Sequence, residues 1–147
     1  MMGYIISAIA GAAMSFQGVI NTRLSEKIGL YESNVFVQAT ALVFGLIIML
    51  IFGKGSIFKL TEANKVYWTG GLLGTIIIVT VMMAIGNLSP TRAIATILVA
   101  QLLVAATIDA LGWLGAEKVP FTWNKWAGLI MMIVGIIIFK WERTGNP

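Results

Sequence analysis

Long apolar runs separated by short polar stretches constrain this chain more than any other feature. The hydrocarbon core of a bilayer is about 30 Å thick, and roughly 20 apolar residues of helix are needed to cross it. Five runs of about that length cover residues 3–28, 33–52, 66–88, 91–114 and 123–141. The pattern predicts an all-α integral membrane protein: a five-transmembrane-helix bundle that forms a single membrane domain over residues 1–147.

The composition agrees with a membrane location and argues against several other classes of protein. Hydrophobic residues make up 59 % of the chain and charged residues 11 %, whereas soluble domains carry roughly 25 % charge. The net charge is +4, but the basic residues lie between apolar runs, where they meet lipid headgroups and not nucleic acid. The sequence contains no cysteine or histidine and no nucleophile, phosphate-loop or carboxylate-cluster motif. We therefore expect no enzyme activity, no cofactor and no metal site.

Several residues predict where the helices begin and end. Gly29 is placed to give the first helix a left-handed C-terminal cap. Ser89 followed by Pro90 suits the start of the fourth helix. The tryptophans fall near predicted helix ends, as the aromatic belts at membrane surfaces require, and they are Trp68, Trp113, Trp123, Trp126 and Trp141.

The basic residues predict no preferred orientation in the membrane. Five crossings put the two termini on opposite sides, and the side richer in Lys and Arg should face the cytoplasm. The N-terminal side carries Lys54, Lys59, Lys65, Lys118 and Lys125, and the other side carries Arg23, Lys27, Arg92, Lys140 and Arg143. Because this balance is even, we expect insertion both ways round, although a small hidden bias that fixes one orientation is the alternative. Two oppositely inserted copies would form the inverted repeat that many transporters contain in one chain.

Small residues recur at helical spacings and predict close contacts between helices. The helix-packing candidates are Gly11, Gly18, Gly74, Gly128 and Gly135. Packing within the chain is the simpler interpretation for the first and third helices. The fifth helix, otherwise rich in Ile and Met, is the better candidate for a contact between subunits.

A few polar side chains fall inside the predicted spans, where their cost makes them candidates for function. The candidate solute-binding residues are Gln17, Asn21, Gln38, Gln101 and Asp109. Asp109 is the one acidic residue within a predicted span, and it shares a helical stripe with Gln101 and Ala105. That stripe is expected to face protein or water.

The depths of these residues suggest how two copies would combine. Gln17 and Gln38 are expected toward the C-terminal side of the membrane, and Asp109 toward the N-terminal side. In an antiparallel pair, Asp109 of one copy would reach the depth of the amides of the other. Both copies of Gln101 would lie near the midplane, so that the two subunits would enclose one polar pathway.

Each of these residues also has a purely structural interpretation. Glutamines in membrane helices serve as hydrogen-bonding contacts between helices, which applies equally to Gln17 and Gln38. Asp109 lies about one turn from the aqueous boundary, where it could be solvated or paired with Lys118. Four threonines are expected to bond to the backbone of their own helices, namely Thr75, Thr80, Thr96 and Thr107.

The sequence resembles the YdcZ-like family of bacterial inner-membrane proteins along essentially its whole length. The residues that carry the resemblance are Gln17-Gly18-Val19-Ile20-Asn21-Thr22-Arg23-Leu24, Gly29, Phe44-Gly45, Gly70-Gly71-Leu72-Leu73-Gly74, Ala100-Gln101-Leu102-Leu103, Ile108-Asp109 and Gly112. That family is related to the drug/metabolite transporter superfamily, whose full-length members have ten helices in two inverted five-helix halves. The resemblance implies a multi-pass protein of the bacterial cytoplasmic (inner) membrane that forms one such half.

Together these features predict a small-solute transporter subunit that acts by alternating access. Its expected partners are a second copy in the opposite orientation or a paralogous subunit, the lipid bilayer and a small-molecule solute. The alternative is an accessory or assembly subunit that transports nothing and pairs with other membrane proteins.

Overall fold

The computed structural model describes residues 1–120 and 122–140, and these residues form helices and connecting segments without a β-strand. The α-helices are α1 (Met2–Ile28), α2 (Leu30–Phe52), α3 (Gly70–Asn87), α4 (Pro90–Leu111) and α5 (Trp123–Lys140). Trp141, at the predicted end of the fifth segment, and Arg143, which we counted toward membrane orientation, lie outside the described residues.

Four helical segments in the described part of the chain are long and apolar enough to cross a membrane. They are Met2–Ile28, Leu30–Phe52, Lys65–Asn87 and Pro90–Leu111. The apolar stretch of α5 over Trp123–Ile138 is shorter. At most 11 % of the most apolar window of any of the four is buried within the chain. Because these helices leave their apolar side chains uncovered, they require a lipid environment.

Two glycines set helix ends, and both differ from the sequence-based expectation. Gly29 has φ 101° and ψ 156°, which is a glycine conformation but not the left-handed helical cap that we predicted. A single residue thus turns the chain directly from α1 into α2, and α2 begins at Leu30, three residues earlier than expected. Gly112 does adopt the left-handed conformation, at φ 66° and ψ 36°, and its N–H donates to Ile108 O at 2.8 Å. This cap ends α4 at Leu111, before the predicted end at residue 114.

The other predicted start signals are found in the structure. Ser89 accepts a hydrogen bond from the Arg92 N–H, and Pro90 is the first residue of α4, as the sequence predicts. The third span begins not as α-helix but as a 3₁₀ segment over Lys65–Thr69, which the Asn64 side chain caps by accepting from Val66 N. The 3₁₀ geometry is common where a helix begins.

The chain divides into two compact units, Met1–Asn87 and Leu88–Pro147. In the first unit, α1, α2 and α3 all contact one another; in the second, α4 contacts α5. The few well-buried apolar side chains include Met82 and Ile85 on α3. Gly18 on α1 lies so close to α3 that a Cβ atom there would be 2.9 Å from Ile85 Cδ1 and 3.2 Å from Val81 Cγ1. The α1–α3 contact therefore depends on the absence of a side chain at Gly18.

Most threonine hydroxyls in the spans bond to their own helix, as the sequence predicts. The four expected donors bond to the carbonyl oxygen four residues earlier at 2.8–3.1 Å. Such a bond gives the hydroxyl hydrogen an acceptor within its own helix. These side chains are consequently poor candidates for solute binding.

We predict that Gly18→Leu destabilises the first unit, because the added side chain must displace Ile85 and Val81. Overpacking of this kind costs about 1–3 kcal/mol. Thermal unfolding in detergent, followed by circular dichroism, measures the effect. Gly11→Leu is the matched control on α1, since nothing lies within 4 Å of a Cβ atom at that position. Equal melting temperatures for the two variants would contradict the packing role of Gly18.

Candidate solute-binding site

The predicted polar residues of α1 differ in their surroundings although they lie one helical turn apart. Asn21 is buried, with 6 % of its surface exposed, whereas Gln17 is exposed. Thr22, beside Asn21, is also buried and donates its hydroxyl hydrogen to Gly18 O at 2.8 Å. The C-terminal part of α1 therefore carries buried polar groups, and Asn21 is the one with a side-chain amide.

The start of α2 contains two buried polar residues that the sequence analysis did not select. Ser33 is fully buried and Asn34 is 7 % exposed. Ser33 Oγ and Asn34 Oδ1 have no hydrogen-bond partner in the structure. A buried polar atom without a hydrogen-bond partner is costly, so these two atoms are exceptional among the polar groups of the first unit. The four-residue spacing between Asn34 and Gln38, which puts both on one helix face, was the sequence signal that could have identified Asn34.

Gln38 connects two helices of the first unit. Its Nε2 atom donates a hydrogen bond to Thr75 Oγ1 of α3 at 3.1 Å, and the Thr75 hydroxyl donates in turn to Gly71 O. Gly74 lies beside this bond, because a Cβ atom there would be 3.7 Å from Gln38 Nε2. This arrangement supports the structural interpretation of Gln38 as a contact between helices.

The second unit contains a cavity of about 450 Å³ between α4 and α5. A cavity of this size lies within the range of small-molecule sites. Its walls are largely apolar, and Asp109 and Lys125 are the two charged residues on them. The lining residues are Leu102, Ala105, Ala106, Asp109, Lys125, Gly128, Leu129 and Met132.

Asp109 occupies the last turn of α4 and is half-buried. Within the described residues its carboxylate forms neither a hydrogen bond nor an ion pair, so the pairing with Lys118 that the sequence left open is not formed. Its backbone carbonyl accepts from Val119 N at 2.9 Å, which ties the end of α4 to the segment that leads into α5. Gln101, two turns earlier on α4, is exposed and is not among the cavity-lining residues.

The glycines selected as packing candidates fall into two groups. Gly18 and Gly74 face neighbouring helices, whereas a Cβ atom at Gly11, Gly128 or Gly135 would meet nothing within 4 Å. Gly128 lines the α4–α5 cavity, and the missing side chain leaves that space open. The packing roles of the second group remain predictions.

No group of three or more His, Cys, Asp or Glu side chains that could hold a metal ion occurs in residues 1–120 and 122–140. Lys125 lines the α4–α5 cavity but is not among the residues predicted from the sequence, where it counts only toward membrane orientation. The sequence signal that could have identified Lys125 is its position two residues after the start of α5, which a short connection separates from Asp109 on α4.

Comparison with protein families gives one match that covers nearly the whole chain. The family model described as "Putative inner membrane exporter, YdcZ" matches residues 2–138. No match is found among the curated proteins or the solved structures.

We predict that Gln38 and Thr75 stabilise the first unit jointly. Hydrogen bonds between membrane helices contribute on average about 0.6 kcal/mol and at most about 1.7 kcal/mol. The variants Gln38→Leu and Thr75→Val, alone and combined, form a double-mutant cycle that thermal unfolding can measure. A coupling energy in this range is expected, and strictly additive effects would show that the bond contributes nothing to stability.

Proposed function

The chain belongs to the YdcZ family of inner-membrane exporters, and from this premise we propose that it is the subunit of a small-solute transporter. As a multi-pass protein of the inner membrane it has access to solutes on both sides. Membership in an exporter family favours transport over catalysis. The observation that carries the proposal is the half-buried Asp109 carboxylate, which lines a cavity within a pair of largely apolar helices.

Polar groups in the first unit support the same proposal. The buried Asn21, together with the unpartnered Ser33 Oγ and Asn34 Oδ1, provides hydrogen-bonding atoms among helices with largely apolar surfaces. Intramembrane polar groups of this kind commonly mark solute pathways. We propose that Gln17, Asn21, Gln38, Gln101 and Asp109 line the pathway, with Ser33 and Asn34 added to that set.

We further propose that two copies function together in opposite orientations. If α5 crosses the membrane, the chain has five crossings and its basic residues are evenly divided between the two sides. Such a chain supplies one half of an inverted repeat of the drug/metabolite-transporter type, and a second copy or a paralogous subunit supplies the other. Rocking of one half against the other would then give alternating access.

An accessory subunit without transport activity is the competing function. The Gln38–Thr75 bond favours it, because this bond employs one of the candidate residues in packing within the chain. Gly18 favours it for the same reason, because the absence of a side chain there allows close packing against Ile85 within the chain. The two functions differ in whether the purified chain alone moves a solute.

Proteoliposomes that contain the purified chain and a mixture of amino acids, sugars, nucleosides and amines test this difference. We expect mass spectrometry to detect efflux of at least one solute class, and Asp109→Asn to slow that efflux about tenfold or more by removing a charged contact. Gln101→Leu should also slow it. Thr96→Val is the control on α4, because Thr96 bonds to Arg92 O of its own helix. Absence of efflux would favour the accessory subunit, whereas full activity of both site variants would overturn the assignment of Asp109 and Gln101 to the pathway.

Reporters fused to the C-terminus test the orientation. We expect a cytoplasm-active and a periplasm-active reporter both to give signal, because the basic residues are balanced. The double variant Lys54→Gln, Lys59→Gln leaves three basic residues on the N-terminal side against five on the other. It should therefore move the C-terminus to the cytoplasm. One-sided signal from the unaltered chain would overturn the antiparallel homodimer.

A further inference from the structure

The α2–α3 connection, which runs from Gly53 to Lys65, contains a short 3₁₀ helix over Ile57–Glu62. This helix lies between two membrane spans and belongs to neither. A 3₁₀ helix has three residues per turn, so side chains three residues apart lie on one stripe. The stripes are Ile57 with Leu60, Phe58 with Thr61, and Lys59 with Glu62. Two stripes therefore carry large apolar side chains, and the third carries only charged ones.

The three apolar residues of this short helix project away from the rest of the first unit. Ile57 is 66 % exposed, Phe58 88 % and Leu60 52 %. Contiguous apolar surface rimmed by charged residues is typical of a site that contacts another protein or a membrane. The apolar side of the connection is therefore an interaction surface, and its position in the chain indicates with what.

Both ends of the connection are fixed at the membrane surface. α2 ends at Phe52, and the third span begins at Lys65. Since one residue extends the chain by at most about 3.6 Å, Phe58 lies within roughly 22 Å of the end of α2. The headgroup region of the bilayer is thus always within reach of the apolar stripes.

The backbone of the connection is hydrogen-bonded locally, which suits it to the lipid boundary. Lys59 N donates to Ser56 O at 3.2 Å, and Ala63 N donates to Leu60 O at 3.1 Å. Peptide groups that leave water without a partner are costly, and this cost keeps irregular chain segments out of lipid. The 3₁₀ bonds lower that cost for a segment that lies against the headgroups.

The charges of the connection complement an anionic surface. Lys54, Lys59 and Lys65 are exposed, and Glu62 is the one acidic residue between Gly53 and Lys65. Within the described residues the three lysine side chains form neither a hydrogen bond nor an ion pair. Anionic lipid headgroups attract lysines that lie close to the membrane surface.

From this placement we propose that the α2–α3 connection is an interfacial anchor for an anionic phospholipid surface. The three apolar side chains of its 3₁₀ helix insert below the lipid headgroups, and its three lysines contact the lipid phosphates. Apolar and basic residues together are typical of segments that lie in the plane of the interface. A second copy that met this surface through its own α2–α3 connection would bring like charges together, which disfavours it as the occupant. The inference is independent of the transport function.

Spin labels in liposomes measure the depth of the connection directly. The chain contains no cysteine, so Phe58→Cys and Glu62→Cys each provide a unique site for a nitroxide label in the full-length protein. The liposomes contain phosphatidylethanolamine and phosphatidylglycerol equally in both leaflets, so the orientation of the protein does not affect the result. Electron paramagnetic resonance then compares relaxation by oxygen, which concentrates in lipid, with relaxation by a water-soluble nickel complex.

We expect the label at residue 58 to be accessible to oxygen and protected from nickel, at a depth of about 5–10 Å below the headgroup boundary. The label at residue 62, on the charged stripe, is the matched control and should be accessible to nickel. Nickel access at both positions would place the connection in water and overturn the proposal. Protection of residue 58 from both reagents would show that protein covers it, in the same chain or in a second copy, and would also overturn the proposal.

A label at Leu60→Cys tests the contribution of Phe58 while leaving every charge in place. Adding Phe58→Ser should move this label toward the water, because the largest apolar side chain of the anchor is lost. Thr61→Ser is the matched control, since it keeps a hydroxyl group on the same stripe and leaves the apolar residues unchanged. An unchanged depth after Phe58→Ser would overturn the proposal.

The preference for anionic lipid is measured with the same label at Phe58→Cys. The label should lie deeper in liposomes that contain phosphatidylglycerol than in liposomes of phosphatidylcholine alone, because the lysines draw the connection toward anionic headgroups. The double variant Lys54→Gln, Lys59→Gln should remove most of this difference. Arg23→Gln, Lys27→Gln is the matched control, because it changes the net charge equally at exposed residues near the other end of α2.

Two results of this comparison would contradict an anionic lipid site. Equal depth of the label in both kinds of liposome would show that the lysines do not select anionic lipid. An equal loss of the difference in both double variants would show that the net charge of the chain, and not the lysines of the connection, causes it. Either result would overturn the proposal.

Discussion

The bilayer's inability to hydrogen-bond is the constraint on which this structure depends. Every backbone N–H and C=O in hydrocarbon must find its partner inside the protein, and a helix achieves this within one segment. The same rule applies to side chains, and the threonines of the spans meet it by bonding back to their own helices. Polar groups that do not meet it locally, such as Asn34 Oδ1 and the Asp109 carboxylate, are therefore the informative ones.

Packing between helices uses a different principle from that of soluble proteins. Lipid tails are as apolar as leucine, so helices gain little by hiding apolar surface from them and associate through close backbone approach and polar contacts. Gly18 against Ile85 is the first kind of contact, and Gln38 Nε2 on Thr75 Oγ1 is the second. The large exposed apolar surface of the remaining helix faces is consistent with so few contacts between helices.

Function in such a chain depends on where charge is tolerated. In the second unit, Asp109 and Lys125 lie at facing helix ends around one cavity, and each opposes the dipole of its own helix. In the first unit, uncharged amides and hydroxyls are buried near the tight turn at Gly29. The two units thus offer different chemistry, one with charged and one with neutral polar groups.

The sequence alone determined the all-helical membrane class, the family, the cap at Ser89 and the local role of the threonines, because hydropathy and capping act over a few neighbouring residues. It placed Gly29 and the end of α4 less accurately, since a glycine can end a helix in more than one conformation and the packing of the next segment selects among them. Only the tertiary structure showed that Gln38 bonds to Thr75, that Ser33 and Asn34 are buried, and that Lys125 shares a cavity with Asp109. Each of these observations depends on how one helix packs against another. The periodicity of a single helix does not tell which of its faces contacts a neighbouring helix.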